Sequence, residues 1–131
     1  WTQLGATMYG EQAGDEFGFM LSMSGDGSIV AIGAPSSDEN GSNSVSVRVF
    51  RYSSNRRTMQ ETQAKRNDQS IQDKEEWIQV RQNVLGGASG DYFGGSLSIN
   101  KKGNTLAVST WVKIGTGKND YVQVFNLENY E

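Results

Sequence analysis

A chain of 131 residues can bury one hydrophobic core, yet it is short for a closed repeat architecture. With 12 basic against 15 acidic side chains, a net charge of −3 and no basic stripe, nucleic acid is disfavoured as a partner, and no apolar run approaches the ~18 residues of a membrane-spanning helix. The absence of both Cys and His removes disulfides, thiolate metal sites, a thiol nucleophile and the commonest general base together. A Cys-free chain fits a reducing compartment and equally a secreted β-protein, so the compartment stays open.

In chain order the local signals are β throughout, with alternating apolar residues and turn residues about every ten positions. Trp1 to about Met8 is a first strand. Phe19 to Met23 is a second, with Phe19, Leu21 and Met23 on one face. Gly25-Asp26-Gly27 supplies the positive-φ positions of a hairpin. The third strand, Ile29 to Ala34, has Val30 and Ile32 on one face and Ala31 and Gly33 on the other, where small side chains let a neighbouring sheet approach; both faces are expected to be covered. After a polar stretch from Ser36 to Ser44, a fourth strand runs from Val45 to Tyr52, its alternation suiting an outer strand.

Residues 53–76 interrupt the pattern. Arg56, Arg57, Lys65, Arg66 and Lys74 meet Glu61, Asp68, Asp73, Glu75 and Glu76 with only Met59, Ala64 and Ile71 to bury, which reads as a solvated loop or short helix joining two units rather than a docking element.

The second unit repeats the first. Trp1 falls on Trp77, Gln3 on Gln79, Gly10 on Gly86, Gly14-Asp15-x-Phe17-Gly18 on Gly90-Asp91-x-Phe93-Gly94, Leu21-Ser22 on Leu97-Ser98, Gly27 on Gly103 and Ala31 on Ala107, all offset by 76 positions. After a one-residue deletion Val47-x-Val49-Phe50 falls on Val122-x-Val124-Phe125. Such periodicity marks an array whose units cover their apolar faces by stacking. The fold class expected is all-β: two four-stranded antiparallel propeller-like blades at about 1–52 and 77–131, with the charged insertion 53–76 between them, in one repeat domain. Two blades cannot close a ring that normally holds ~4–8. The chain is therefore expected to be part of a longer array, the alternatives being a ring of identical chains or a sandwich of two sheets. Because the sequence opens with a Trp-x-Gln strand and ends after the Val-x-Val-Phe strand, the first strand is expected either to complete the last unit or to complete a blade of another chain.

Phe17-Gly18 and Gly33-Ala34-Pro35 across one hairpin resemble the signatures of the FG-GAP repeat and of integrin α-like propeller blades. In the second unit Ser109-Thr110-Trp111 stands where Gly-Ala-Pro would. The resemblance implies a toroid of blades whose loops bind proteins or glycans, often outside the cell. Many members carry an Asp-rich calcium loop between the two signatures. Here that connection is Ser24 to Ser28 in one unit and Asn100 to Asn104, with Lys101 and Lys102, in the other, too few ligands for the ~6–8 oxygens Ca²⁺ takes.

No catalytic, cofactor-binding or metal-ligating set is assigned, and no cofactor is expected. The oxygen-rich loop with Asp38, Glu39 and Asn40 matches no EF-hand pattern and reads as a polar turn, and unit two offers Lys113 to Asp120 in its place. Asp15 and Asp91 recur before each Phe-Gly and read as Asx-type turn residues rather than paired catalytic acids. Trp1 and Trp77, at equivalent strand positions, are expected in core or blade-interface packing, whereas Trp111 and Tyr92 lack an aromatic equivalent and are candidates for a binding surface. Gly86 to Gly90 has no following Lys-Ser/Thr and reads as a blade connection, not a phosphate loop. The function expected is a non-catalytic protein- or glycan-interaction scaffold. An accessory structural subunit, self-associating or held by its open strand edges, is the alternative, and a carboxylate-dependent hydrolase fragment the third reading.

Overall fold

The computed structural model describes residues 1–36, 46–54, 75–86, 92–111, 115 and 117–128. Among them there is no helix, and eight strands form two antiparallel sheets. The first sheet contains β1 (Met20–Met23), β2 (Ile29–Ala34), β3 (Ser46–Ser54) and β4 (Glu75–Gln79) in that spatial order, and β5 (Val84–Leu85) also pairs with β3. The second contains β6 (Ser96–Ile99), β7 (Thr105–Ser109) and β8 (Val122–Asn126), also in chain order.

The all-β architecture agrees with the alternation in the sequence, but the strands divide five and three rather than four and four. The Trp77 strand, which belongs to the second sequence unit, pairs with β3 of the first: Tyr52 faces Trp77 and Phe50 faces Gln79. The ladder continues one bond further, from Val80 N to Val49 O at 2.7 Å. Consequently β3 is an inner strand, not the outer one its alternation suggested. The equivalent segment at Trp1 to Met8 forms no strand, because among the described residues no neighbouring edge is presented to it. Strand also extends into both ends of the 53–76 stretch, at Ser53–Ser54 and Glu75–Glu76; residues 55–74 lie outside the described residues.

The sheets stack face to face. Ile29, Ala31, Val47 and Val49 of the first sheet bury against Phe93, Leu97, Ile99, Leu106 and Val108 of the second in one core. Small residues permit the approach: a Cβ on Gly33 would stand 3.1 Å from Gly94 O and 3.4 Å from Leu97 Cδ2. Hydrogen bonds cross the interface, among them Ile99 N to Ser22 Oγ at 3.0 Å and Gly25 N to Lys101 O at 2.9 Å. Gly25 serves that contact, since a Cβ there would meet Lys101 Cγ at 2.6 Å; of the hairpin's three central residues only Gly27 has a positive φ, +74°.

The opposite face of the first sheet is covered only in part. Val30, Ile32 and Phe50 bury under Met8, Phe17 and Trp77. Arg48 holds this cover in place: its guanidinium lies 5.2 Å and 4.9 Å from the Phe17 and Phe50 rings, donates to Tyr9 O at 2.9 Å and to Gln79 Oε1 at 3.0 Å, and stands 3.8 Å from Glu11. Both faces of β2 are buried, as its sequence suggested, whereas Leu21 and Met23 of β1 stay 63% and 49% exposed.

The units are nevertheless conformational copies. Left-handed φ recurs at the 76-residue offset in Gly5 and Arg81, Glu16 and Tyr92, Gly18 and Gly94, Gly27 and Gly103. The β1–β2 turn is organised by Asp26, whose Oδ1 accepts from Ser24 Oγ at 2.7 Å, Ser28 N at 3.0 Å and Ser28 Oγ at 2.8 Å. These donors lower its pKa to about 2, the Ser24 hydroxyl contributing most.

Replacing Gly33 with Val is expected to force the sheets apart and cost about 1–3 kcal/mol in chemical denaturation, the scale of an overpacked core; an unchanged midpoint contradicts the stacking. Because the folded-state pKa of Asp26 is depressed, its contribution is present above the unfolded value and is lost as pH falls through the folded one. The difference in Tm between the natural chain and Asp26→Ala should hold steady above about pH 5 and shrink between about pH 4 and pH 2. A pH-independent difference contradicts the assigned turn.

Candidate functional site

Phe17-Gly18 and Gly33-Ala34-Pro35 are two halves of one contact. Gly18 N donates to Gly33 O at 3.1 Å, closing the open end of the β1–β2 hairpin, and Gly18 supplies a φ of +94° that a side chain resists. In the second unit Gly94 N donates to Ser109 O at 3.0 Å. The bond is backbone to backbone, so loss of the Gly-Ala-Pro side chains leaves it intact. The aromatic of each pair is an anchor: Phe17 meets Phe50 edge-on at 6.4 Å, and Phe93 is fully buried between Tyr121 and Phe125.

Beside these closures lies a notch of about 150 Å³ where the two sheets meet, lined by Glu16, Phe19 and Pro35 from the first unit and Tyr92, Gly95 and Trp111 from the second. The six are three equivalent pairs at the 76-residue offset: Glu16 with Tyr92, Phe19 with Gly95, Pro35 with Trp111. The asymmetry creates the space. Gly95 stands where the first unit has Phe19, and a Cβ there would lie 3.1 Å from Trp111 Cβ and 3.0 Å from Tyr92 O. Trp111 is 71% exposed, tilted against Tyr92 with ring centroids 6.0 Å apart. Glu16 and Tyr92 adopt φ of +55° and +43°, conformations costly for residues with side chains and found disproportionately at sites of function.

The structure thus brings together the two aromatics that the sequence singled out, Tyr92 and Trp111, and adds Phe19, Pro35 and Glu16. The repeat alignment already placed Glu16 and Tyr92 at one position; only three dimensions bring the two units' copies of it to one opening.

The other candidates resolve as follows. Asp15 is buried, its Oδ2 accepting from Gln12 N at 2.8 Å and its carbonyl from Ser36 N at 3.2 Å, which is the turn role expected. Asp91 lies outside the described residues, as do Asp38, Glu39, Asn40, Lys113 and 87–90 of the Gly-rich run. Trp77 packs, its Nε1 donating to Leu4 O at 2.9 Å and its ring 5.3 Å from Tyr52. Trp1 does not pack, contrary to the pairing expected of it, because the strand partner that orders Trp77 has no counterpart beside Trp1. Among the described residues no three of His, Cys, Asp and Glu converge as metal ligands.

The FG-GAP repeat family matches residues 7–50, the span that holds both signatures and the hairpin they close. No curated protein and no solved structure matches the chain. FG-GAP repeats are β-propeller-like interaction modules and generally non-catalytic. Residues 7–50 thus form an FG-GAP-type repeat, and the second unit makes the same signature contact.

Proposed function

We propose that this chain is a non-catalytic interaction module that holds a protein or glycan partner at the aromatic notch between its two sheets. The observation that carries the reading is the cluster of Trp111, Tyr92, Phe19 and Pro35 around an open space, with Glu16 also lining it. Exposed aromatic faces are poor solvent surfaces and good stacking surfaces for a sugar ring, a prolyl ring or the stem of a basic side chain. Glu16 adds an acceptor for hydroxyl or cationic groups. The non-catalytic part of the reading is supported by the lack of His and Cys and by the engagement of Asp15 with its own turn.

An oligosaccharide array and a tiled peptide library, each probed with the natural chain and with Tyr92→Ala/Trp111→Ala, separate the two partner classes. Binding on one array that weakens roughly 30-fold in the double variant, the scale of an aromatic hot spot, is expected. Trp111 is exposed enough that Trp111→Ala alone should alter stability by less than about 0.5 kcal/mol. Binding retained in the double variant, or found on neither array, contradicts the notch as the site.

A further inference from the structure

We infer that the outer edge of β8 and the face beside it form a docking surface for a second copy of this chain, whose residues 1–34 sit on it as residues 77–110 sit on the first sheet. The inference is independent of the notch. It rests on the internal repeat, which supplies a worked example of the contact within one chain.

Within the chain the first sheet is completed by the next unit in two ways. Residues 77–80 add to the edge of β3, and Leu97 and Ile99 press onto the face built from Met20, Ser22, Ala31, Gly33, Val47 and Val49. The repeat offset carries this surface to the second sheet, where the corresponding face is Ser96, Ser98, Ala107, Ser109, Val122 and Val124. These side chains are equally small or β-branched. All but Val124 line a hollow of about 200 Å³, and Val124 is 65% exposed where its counterpart Val49 is 4% exposed. Among the described residues no strand pairs with the outer edge of β8.

The complementary surface is on the first unit. Leu21 is 63% exposed, whereas its counterpart Leu97 is 8% exposed. The segment that would add the strand is already shaped for it. Gln3 Nε2 donates to Gly5 O at 3.1 Å and to Thr7 Oγ1 at 3.0 Å, and Gln79 Nε2 donates to Arg81 O at 3.1 Å and to Asn83 Oδ1 at 2.7 Å, the same local arrangement at the same offset. In the paired unit the remaining Gln79 oxygen accepts from Arg48 on β3.

The register follows. Thr2 of the second copy faces Asn126 as Ile78 faces Arg51, Gln3 faces Phe125 as Gln79 faces Phe50, and Leu4 N donates to Val124 O as Val80 N donates to Val49 O. The Gln3 side-chain oxygen meets Gln123, the counterpart of Arg48, and Leu21 and Met23 enter the hollow. Such a contact joins different surfaces of identical chains and therefore propagates, closing into a ring or extending as a filament.

The chain has no natural Cys, so a crosslink reports the register directly. Thr2→Cys and Asn126→Cys chains are oxidised separately and mixed, with Arg51→Cys/Ile78→Cys as the intramolecular reference for the same kind of pair; facing Cα atoms ~5.5 Å apart lie within disulfide reach. A disulfide dimer in the mixture and in neither variant alone is expected. Sedimentation of the natural chain should show mass rising with concentration, and Val124→Lys or Leu21→Lys should raise the association midpoint at least tenfold. A dimer from Asn126→Cys alone means β8 pairs with β8 and overturns the inference. So does a natural chain that stays monomeric up to roughly 1 mM, the result expected if the surface is instead covered by a further repeat of a longer polypeptide.

Discussion

The structure depends on one contact, the packing of a nearly bare sheet face onto an apolar one. Ala31 and Gly33 leave the first sheet almost flat on the side that meets Leu97, and Ile29, Val47 and Val49 flank the depression. Leu106 and Val108, both essentially free of solvent, lie in the core that this face closes. Neither sheet alone could bury its core side, because the apolar face of a sheet leaves water only against another layer. Stacking solves this for both at once, and strand β4 reinforces it, because the chain must run back along β3 before it enters the second sheet.

That route explains how two units of one design come to differ. Each has the same left-handed positions, the same closure between the Phe-Gly turn and the end of the third strand, and the same bond from the start of its hairpin return, Tyr52 N to Ser28 O at 2.8 Å and Leu127 N to Asn104 O at 2.7 Å. These are backbone features, which tolerate exchange of Gly-Ala-Pro for Ser-Thr-Trp. What differs is the neighbourhood. The first unit lends its small face to the second and keeps its other face under Met8, Phe17 and Arg48. The second unit buries its apolar face and presents its small one. The notch arises where they meet, because one position carries Phe19 in one copy and Gly95 in the other.

The strands and hairpins were readable because their signals are local: alternation in Ile29–Ala34 and Thr105–Ser109, turn residues at Ser24–Ser28 and Asn100–Asn104. The closeness of the sheets was readable too, in Ala31 and Gly33. The sheet that receives Glu75–Gln79 was not, since any edge strand can pair with either neighbour and the choice is made by stacking. The same gap hid the difference between Trp77, held by Tyr52 and Leu4, and Trp1, which stays exposed. The place of Arg48 between two rings depends on where Phe17 returns, which no local pattern shows. Of the candidate site, Tyr92 and Trp111 stood out by lacking aromatic counterparts, whereas the role of Gly95 is the absence of a side chain and leaves no compositional trace.

The central claim is that the strand opening the second repeat belongs to the sheet of the first. In antiparallel pairing, residues facing each other without a direct bond bring their Cα atoms to ~4.5 Å, close enough for a strong Hα–Hα nuclear Overhauser effect. The Val80–Val49 bond sets the phase, so that signal is predicted between Phe50 and Gln79 and between Tyr52 and Trp77. Its absence, or Hα–Hα signals linking residues 77–79 to residues 122–126 of the same chain, would contradict the account.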